Sequence, residues 1–235
     1  MTRHFGVLIP AANTTVEVEY TRLLPEGLQA HYGRLGRGPT LFIPSLVADV
    51  VYQSQLLGQA KVEAIALAQT SASLHADDYD AVTTQQMREG AAAPAITSAM
   101  AIGQAARALG LRRIALVTPY SQDALARAKR YFESKHGLDV VAMEGFGTPD
   151  AYAIGALGPG NARDAFRRID RPDIEALVVP GGNFPTMAHV PAWEATFGKP
   201  VITTNGATLW AMVGMMKLDM KLPKLGRLLA EMPRA

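Results

Sequence analysis

The chain has 235 residues, with 23 basic against 21 acidic side chains, 49% hydrophobic and 19% charged residues, and no cysteine. That balance excludes a disordered or fibrous chain and makes no electrostatic case for nucleic acid; without thiols the chain supplies no disulfide, thiolate metal site or cysteine nucleophile. No run reaches the length of an apolar membrane span and residues 5–9 are too short for a secretory segment, so the expected address is the cytoplasm, with no membrane partner.

Residues 5–9 (FGVLI) form an apolar run closed by Pro10, and the polar turn Asn13-Thr14-Thr15 leads into VEVEYTRLL, so a buried strand feeds a helix. Thr14 and Glu17 stand at capping-box spacing. Residues 55–75 are predicted helical, and residues 79–83 (YDAVT) form a second strand that stops in the polar TTQQ. Pro94 suits the first turn of a helix running through Ala108 to Gly110. Residues 113–117 (RIALV) are a strand, the turn TPYSQD follows, and a helix over ALARAKRYFESK ends at His136-Gly137. Beyond it come a strand at DVVAM, a helix over 161–169, a strand at EALVV, the turn PGGNFPT opening a helix, a strand at PVIT, and a last helix from TNGATLW.

Strands alternating with helices of this length predict parallel α/β architecture. VLIPAANTTVE pairs with ALVTPYSQDAL, and DAVTTQQM with EALVVPGGNFPTM, at similar offsets. This repeat predicts two pseudo-symmetric lobes, each a parallel sheet flanked by helices: residues 1–105 plus 206–235, and residues 106–205. In such sheets a ligand sits beyond the carboxyl ends of the strands, here in the cleft between the lobes. Five turns qualify: Ala12-Asn13-Thr14, Thr83-Thr84-Gln85, Thr118-Pro119-Tyr120-Ser121, Gly181-Gly182-Asn183 and Thr203-Thr204-Asn205. They offer hydroxyls, amides and glycine N–H groups, and the phosphate-binding glycine patterns are absent from the sequence. Neutral donors at helix starts suit a small carboxylate, or the charge that develops on it during reaction.

At these turns the chain resembles a known family. IPAANTTVE is similar to the P-x-x-N-T-T-x-E signature of maleate cis-trans isomerases, RRIALVTPYSQD resembles the tyrosine-bearing turn shared with arylmalonate decarboxylases, and PVITTNGATLW resembles their closing segment. These proteins belong to the aspartate/glutamate racemase superfamily. The resemblance implies two α/β lobes, an intervening site with neither cofactor nor metal, and a pocket of hydroxyls and backbone amides that holds a carboxylate and stabilises an enediolate. Asn13 then matches the carboxylate-binding asparagine, Thr83 and Thr84 the hydroxyl pair, Tyr120 the tyrosine donor, and Gly182 the second-lobe amide, with Gly181 and Asn183 beside it. The family works with two cysteines, one per lobe; here the matching positions are Val82 and Gly181.

Among groups that could replace a thiol, Tyr120 is the best acid, a phenol in a dry pocket beside a developing enolate that is expected to donate a hydrogen bond and, with a lowered pKa, to exchange its proton. His189 lies beyond Asn183 on what should already be helix, and His4, His31, His75 and His136 read as surface or strand-edge residues. Glu17 reads as a cap, Asp123 as a helix-start residue, Arg88 as a solvated cation or a partner for a second carboxylate, and the Met-rich WAMVGMM as packing. Three readings stay open: a cofactor-independent isomerase or lyase with Tyr120, Thr83 and Thr84 as catalytic groups, an accessory carboxylate binder, and a hydrolase using the same oxyanion pocket. Homo-oligomerisation is open as well.

Overall fold

A computed structural model describes residues 2–36 and 47–234. Two four-stranded parallel sheets carry the fold. The first comprises β1 (Arg3–Pro10), β2 (Leu28–Leu35), β3 (Ile65–Leu67) and β4 (Ala95–Thr97) in the order β2-β1-β3-β4. The second comprises β5 (Arg113–Thr118), β6 (Asp139–Gly145), β7 (Ala176–Val179) and β8 (Val201–Thr203) in the matching order β6-β5-β7-β8. All six pairings are parallel. Both faces of each sheet are therefore covered, which is why Phe5, Val7, Leu8 and Ile9 of β1 are all fully buried rather than alternating.

The helices are α1 (Val16–Leu23), α2 (Val47–Gln59), α3 (Tyr79–Ala91), α4 (Ser98–Ala108), α5 (Gln122–His136), α6 (Pro159–Ile169), α7 (Val190–Phe197), α8 (Thr204–Met215) and α9 (Arg227–Glu231). One apolar core joins the sheets, with Phe5 and Val7 on one side, Ile114 and Val178 on the other, and the small residues Ala101 and Ala105 of α4 between them. Two outer cores close the far faces, one around Leu8, Leu67 and Met87 and one around Phe166, Leu177 and Trp193.

The structure departs from the sequence expectations chiefly in the first lobe. Residues 55–75 are not one helix: α2 ends at Gln59, β3 follows, and a 3₁₀ turn spans Thr70–Leu74. The alanine-rich IALA reads as helix by propensity, yet full burial between neighbouring strands makes it a strand. Residues 79–83, expected as a strand, open the thirteen-residue helix α3, whose buried Thr83, Thr84, Met87 and Ala91 repeat with helical period. Pro94 precedes β4 rather than opening a helix, and β2 fell outside the sequence expectations. The Thr14/Glu17 capping box is also absent. Asn13 Oδ1 accepts the N–H groups of Thr15 and Val16 at 3.0 Å each, while Glu17 pairs with Arg34.

Candidate active site

The cleft lies where the carboxyl ends of the two sheets meet. Its walls come from Pro10, Ala12 and Asn13 after β1, Ala68 to Ser71 after β3, Tyr120 after β5, and Gly181 to Asn183 after β7, with Ala151 and Ile154 across the mouth. The enclosed cavity is small, about 40 Å³. Asn183 bridges its rim: its Nδ2 donates to Ala151 O (2.6 Å) and its Oδ1 accepts the N–H of Thr14 (2.7 Å). Thr15 Oγ1 adds a hydrogen bond to Asn183 O (2.7 Å), so a second-lobe side chain and its backbone are both tied to the first lobe.

Asn13 is buried and divides its amide between two tasks. Oδ1 serves the start of α1, while Nδ2 has no protein acceptor among the described residues and lines the cleft. Arg34 Nη1 holds the same turn by donating to Ala11 O and Asn13 O, both at 3.0 Å.

The first-lobe hydroxyl residues that line the cleft are Thr70 and Ser71; Thr83 and Thr84 do not line it. Thr83 and Thr84 lie on α3 away from the cleft, and Thr84 Oγ1 donates to Asp80 O (2.7 Å) within its own helix. Val82, expected at the first-lobe thiol position, is 43% exposed on the same helix. The residue immediately before Thr70-Ser71 is Gln69, which also lines the cleft. A sequence signal for this turn existed: the apolar IALA breaks sharply into QTSAS. Ser71 Oγ has no protein partner among the described residues, leaving it available to a ligand.

Tyr120 is buried, with its hydroxyl beside the Thr70 side chain. Burial pushes the phenol well above its ordinary value, with the Thr70 side chain opposing the shift, so the group is a neutral donor throughout the physiological range rather than an acid of lowered pKa. Thr70 Oγ1 is also 3.1 Å from Ser98 Oγ and 3.0 Å from Thr204 Oγ1, and Thr204 Oγ1 accepts the N–H of Gly181 (2.7 Å). These buried hydroxyls at the starts of α4 and α8 join the β3 turn to the β7 turn.

The Gly181 N–H is thus already used, whereas the N–H groups of Gly182 and Asn183 have no acceptor among the described residues. Gly181 has φ +137°, and a Cβ there would lie 2.9 Å from Pro119 Cγ, so this position accepts glycine only at low cost. Tyr120 is the one titratable side chain among the described residues that line the cleft. His189 sits in a 3₁₀ turn against Trp193, outside the lining, and Arg88 is exposed on α3 beside a separate cavity. No group of three or more His, Asp or Glu residues placed to hold a metal occurs among the described residues.

A family model described as arylmalonate decarboxylase matches residues 5–229. The chain belongs to the arylmalonate decarboxylase family. It is 23% identical over 250 residues to maleate isomerase of Alcaligenes faecalis, covering 97% of each chain. Arylmalonate decarboxylase of Bordetella bronchiseptica is 26% identical over 232 residues, covering 96% of each. Among solved structures, a maleate isomerase variant from Pseudomonas putida with bound maleate superposes with a TM-score of 0.86 at 26% identity, covering 98% of each chain. Gln69 and Gly181 both line the cleft, one from each lobe.

Proposed function

We propose that this protein is a cofactor-independent isomerase or lyase of small mono- or dicarboxylates that stabilises an enediolate with neutral donors and without a catalytic cysteine. The observation that carries this reading is the convergence of donors from both lobes on one cleft: Asn13 Nδ2, the Ser71 hydroxyl, the Tyr120 hydroxyl, and the N–H groups of Gly182 and Asn183. Such a set binds a carboxylate in the ground state and gains strength as a second negative charge builds on its oxygens. In the lyase direction, the bond to the departing carboxylate breaks, carbon dioxide leaves, and the electron pair moves into the enediolate. Solvent water then supplies the proton that returns to carbon, and the hydroxide left behind is taken up by the released carbon dioxide as bicarbonate. Thr83 and Thr84 have no part in this scheme; Thr70 and Ser71 take their place, with Thr70 beside Tyr120. The buried, neutral phenol of Tyr120 suits donation to the enediolate oxygen.

The carboxylate-binder reading has its own support, since among the described residues the cleft lining holds no Asp, Glu, His, Lys or Arg to move a proton. Turnover separates the two. The protein is incubated with maleate, arylmalonates and related dicarboxylates in deuterated buffer and followed by proton NMR. The enzyme reading expects conversion of at least one compound, and Tyr120→Phe should lower that turnover by on the order of 10²–10³-fold. Tight binding with no conversion across the panel would replace the enzyme with the binder.

A further inference from the structure

The second-lobe turn can serve a carboxylate only if its peptides face the cleft, and the group that sets their direction lies behind it. A trans peptide points its C=O and the following N–H to opposite sides. Gly182 C=O accepts a hydrogen bond from Asn205 Nδ2 (3.1 Å) on the α8 side. The N–H of Asn183, in the same peptide, is thereby directed to the other side. Glycine at 182 imposes little orientation of its own, and a Cβ there would lie 2.9 Å from Ala68 O. The peptide is therefore held from outside.

Asn205 does the holding, and Glu19 decides which end of the Asn205 amide does it. Glu19 of α1 is buried between the lobes. Its Oε1 accepts the N–H groups of Thr186 (2.6 Å) and Met187 (2.8 Å), and its Oε2 accepts Asn205 Nδ2 (2.7 Å). A carboxylate only accepts, so the NH₂ of Asn205 must face Glu19, and its second hydrogen then reaches Gly182 O. The consequence is visible on the far side of the amide, where Asn205 Oδ1 is buried without a hydrogen-bond partner. Tyr20 OH donates to Asn205 O (2.9 Å) and pins the backbone of the same residue. Burial pushes the Glu19 carboxyl up from its ordinary value, opposed by the three hydrogen bonds it receives.

We propose that Glu19 is a positioning residue: through Asn205 it locks the Gly182–Asn183 peptide so that the Asn183 N–H faces the carboxylate of a bound ligand. This assignment rests on the carboxylate-pocket reading for its purpose, but not for its geometry. Glu19→Gln places an amide nitrogen toward Asn205, turns the Asn205 amide over, and takes the donor from Gly182 O. Glu19→Gln combined with Asn205→Asp restores a buried amide–carboxylate pair of reversed polarity, which has no N–H for Gly182 O. Position and mere stability therefore come apart.

The test combines melting temperatures, crystal structures of both variants, and maleate titrations of ¹⁵N-labelled protein. The double variant should recover much of the melting temperature lost by Glu19→Gln. In both variants the Gly182 C=O should leave the α8 side, and maleate should bind at least about tenfold more weakly, without perturbing the Asn183 amide. If either variant fails to fold, Asn205→Ala, which leaves the carboxylate in place, tests the same peptide. An unmoved Gly182 C=O in the crystal structures overturns the proposal, as does maleate affinity that recovers together with the melting temperature in the double variant. Should wild-type protein bind neither maleate nor an arylmalonate, the carboxylate reading fails separately, and the crystal structures alone decide whether Glu19 holds the peptide.

Discussion

Asn13 supports the start of α1 with its oxygen and faces the cleft with its nitrogen, so alanine and aspartate substitutions pull the two tasks apart. Asn13→Ala removes an acceptor shared by two N–H groups. Loss of such a cap costs about 1–2 kcal/mol, and at this chain length each kcal/mol lowers the melting temperature by about 2–4 °C, so a drop of about 2–8 °C is expected. It also removes Nδ2, and losing a hydrogen bond to a charged ligand costs about 1.5–3 kcal/mol, or on the order of 10–150-fold in affinity. Asn13→Asp keeps the acceptor and places a negative charge at a helix start next to Arg34, so the melting temperature should stay at or above that of wild type. The same substitution replaces the donor by a like charge, and carboxylate affinity should fall further than in Asn13→Ala. Differential scanning fluorimetry and calorimetric titration with maleate read the two effects separately. An aspartate variant that bound maleate within about threefold of wild type would refute the assignment of Nδ2 to the ligand.

Ser71→Ala should weaken carboxylate binding, whereas Thr84→Val, on the far helix, should leave binding and turnover unchanged; the reverse ranking would restore the α3 hydroxyls to the site. Installing a thiol by Gly181→Cys should destabilise the protein by about 1–3 kcal/mol, because a side chain there combines φ +137° with a clash against Pro119; a denaturation midpoint equal to wild type would contradict this. Burial, helped by the Arg107 guanidinium, pushes the His136 imidazole from 6.5 down to about 4. Between those values the unfolded chain binds a proton that the folded chain does not, so stability should fall as pH drops from about 6.5 to about 4. His136→Gln should flatten that part of the curve of unfolding free energy against pH, and an unchanged slope would remove His136 from the account.

That Tyr120, Asn13 and the Gly181-Gly182-Asn183 turn line the cleft was legible before the fold was known, because each lies in the turn after a strand whose apolar run and polar break are unmistakable. Asn183 was legible only in part. Its position pointed to ligand binding, yet its side chain spends its hydrogen bonds on Thr14 and Ala151, and only its backbone N–H remains for the cleft. Its hydrogen bonds to Thr14 and Thr15 appear only once the lobes are assembled.

The periodic segments of the second lobe were determined by local sequence: β5, α5, α6, β7 and β8 each carry enough β-branched residues, amphipathic period or punctuation to identify themselves. Which first-lobe hydroxyl residues line the cleft was decided by tertiary structure. Residues 65–67 (Ile-Ala-Leu) carry a single β-branched residue amid helix-favouring alanine and leucine, and become a strand because β1 and β4 hydrogen-bond to both of their edges. Residues 79–83 have strand-like composition, and become helix because Thr83, Thr84, Met87 and Ala91 share one buried stripe. Local propensity is worth tenths of a kcal/mol per residue, while burying a single large apolar side chain is worth about 1.5–3, so packing chose between Thr83-Thr84 and Thr70-Ser71. The link from Glu19 through Asn205 to Gly182 was likewise invisible in the sequence, since it joins residues 186 positions apart through a contact that only the meeting of the two lobes creates.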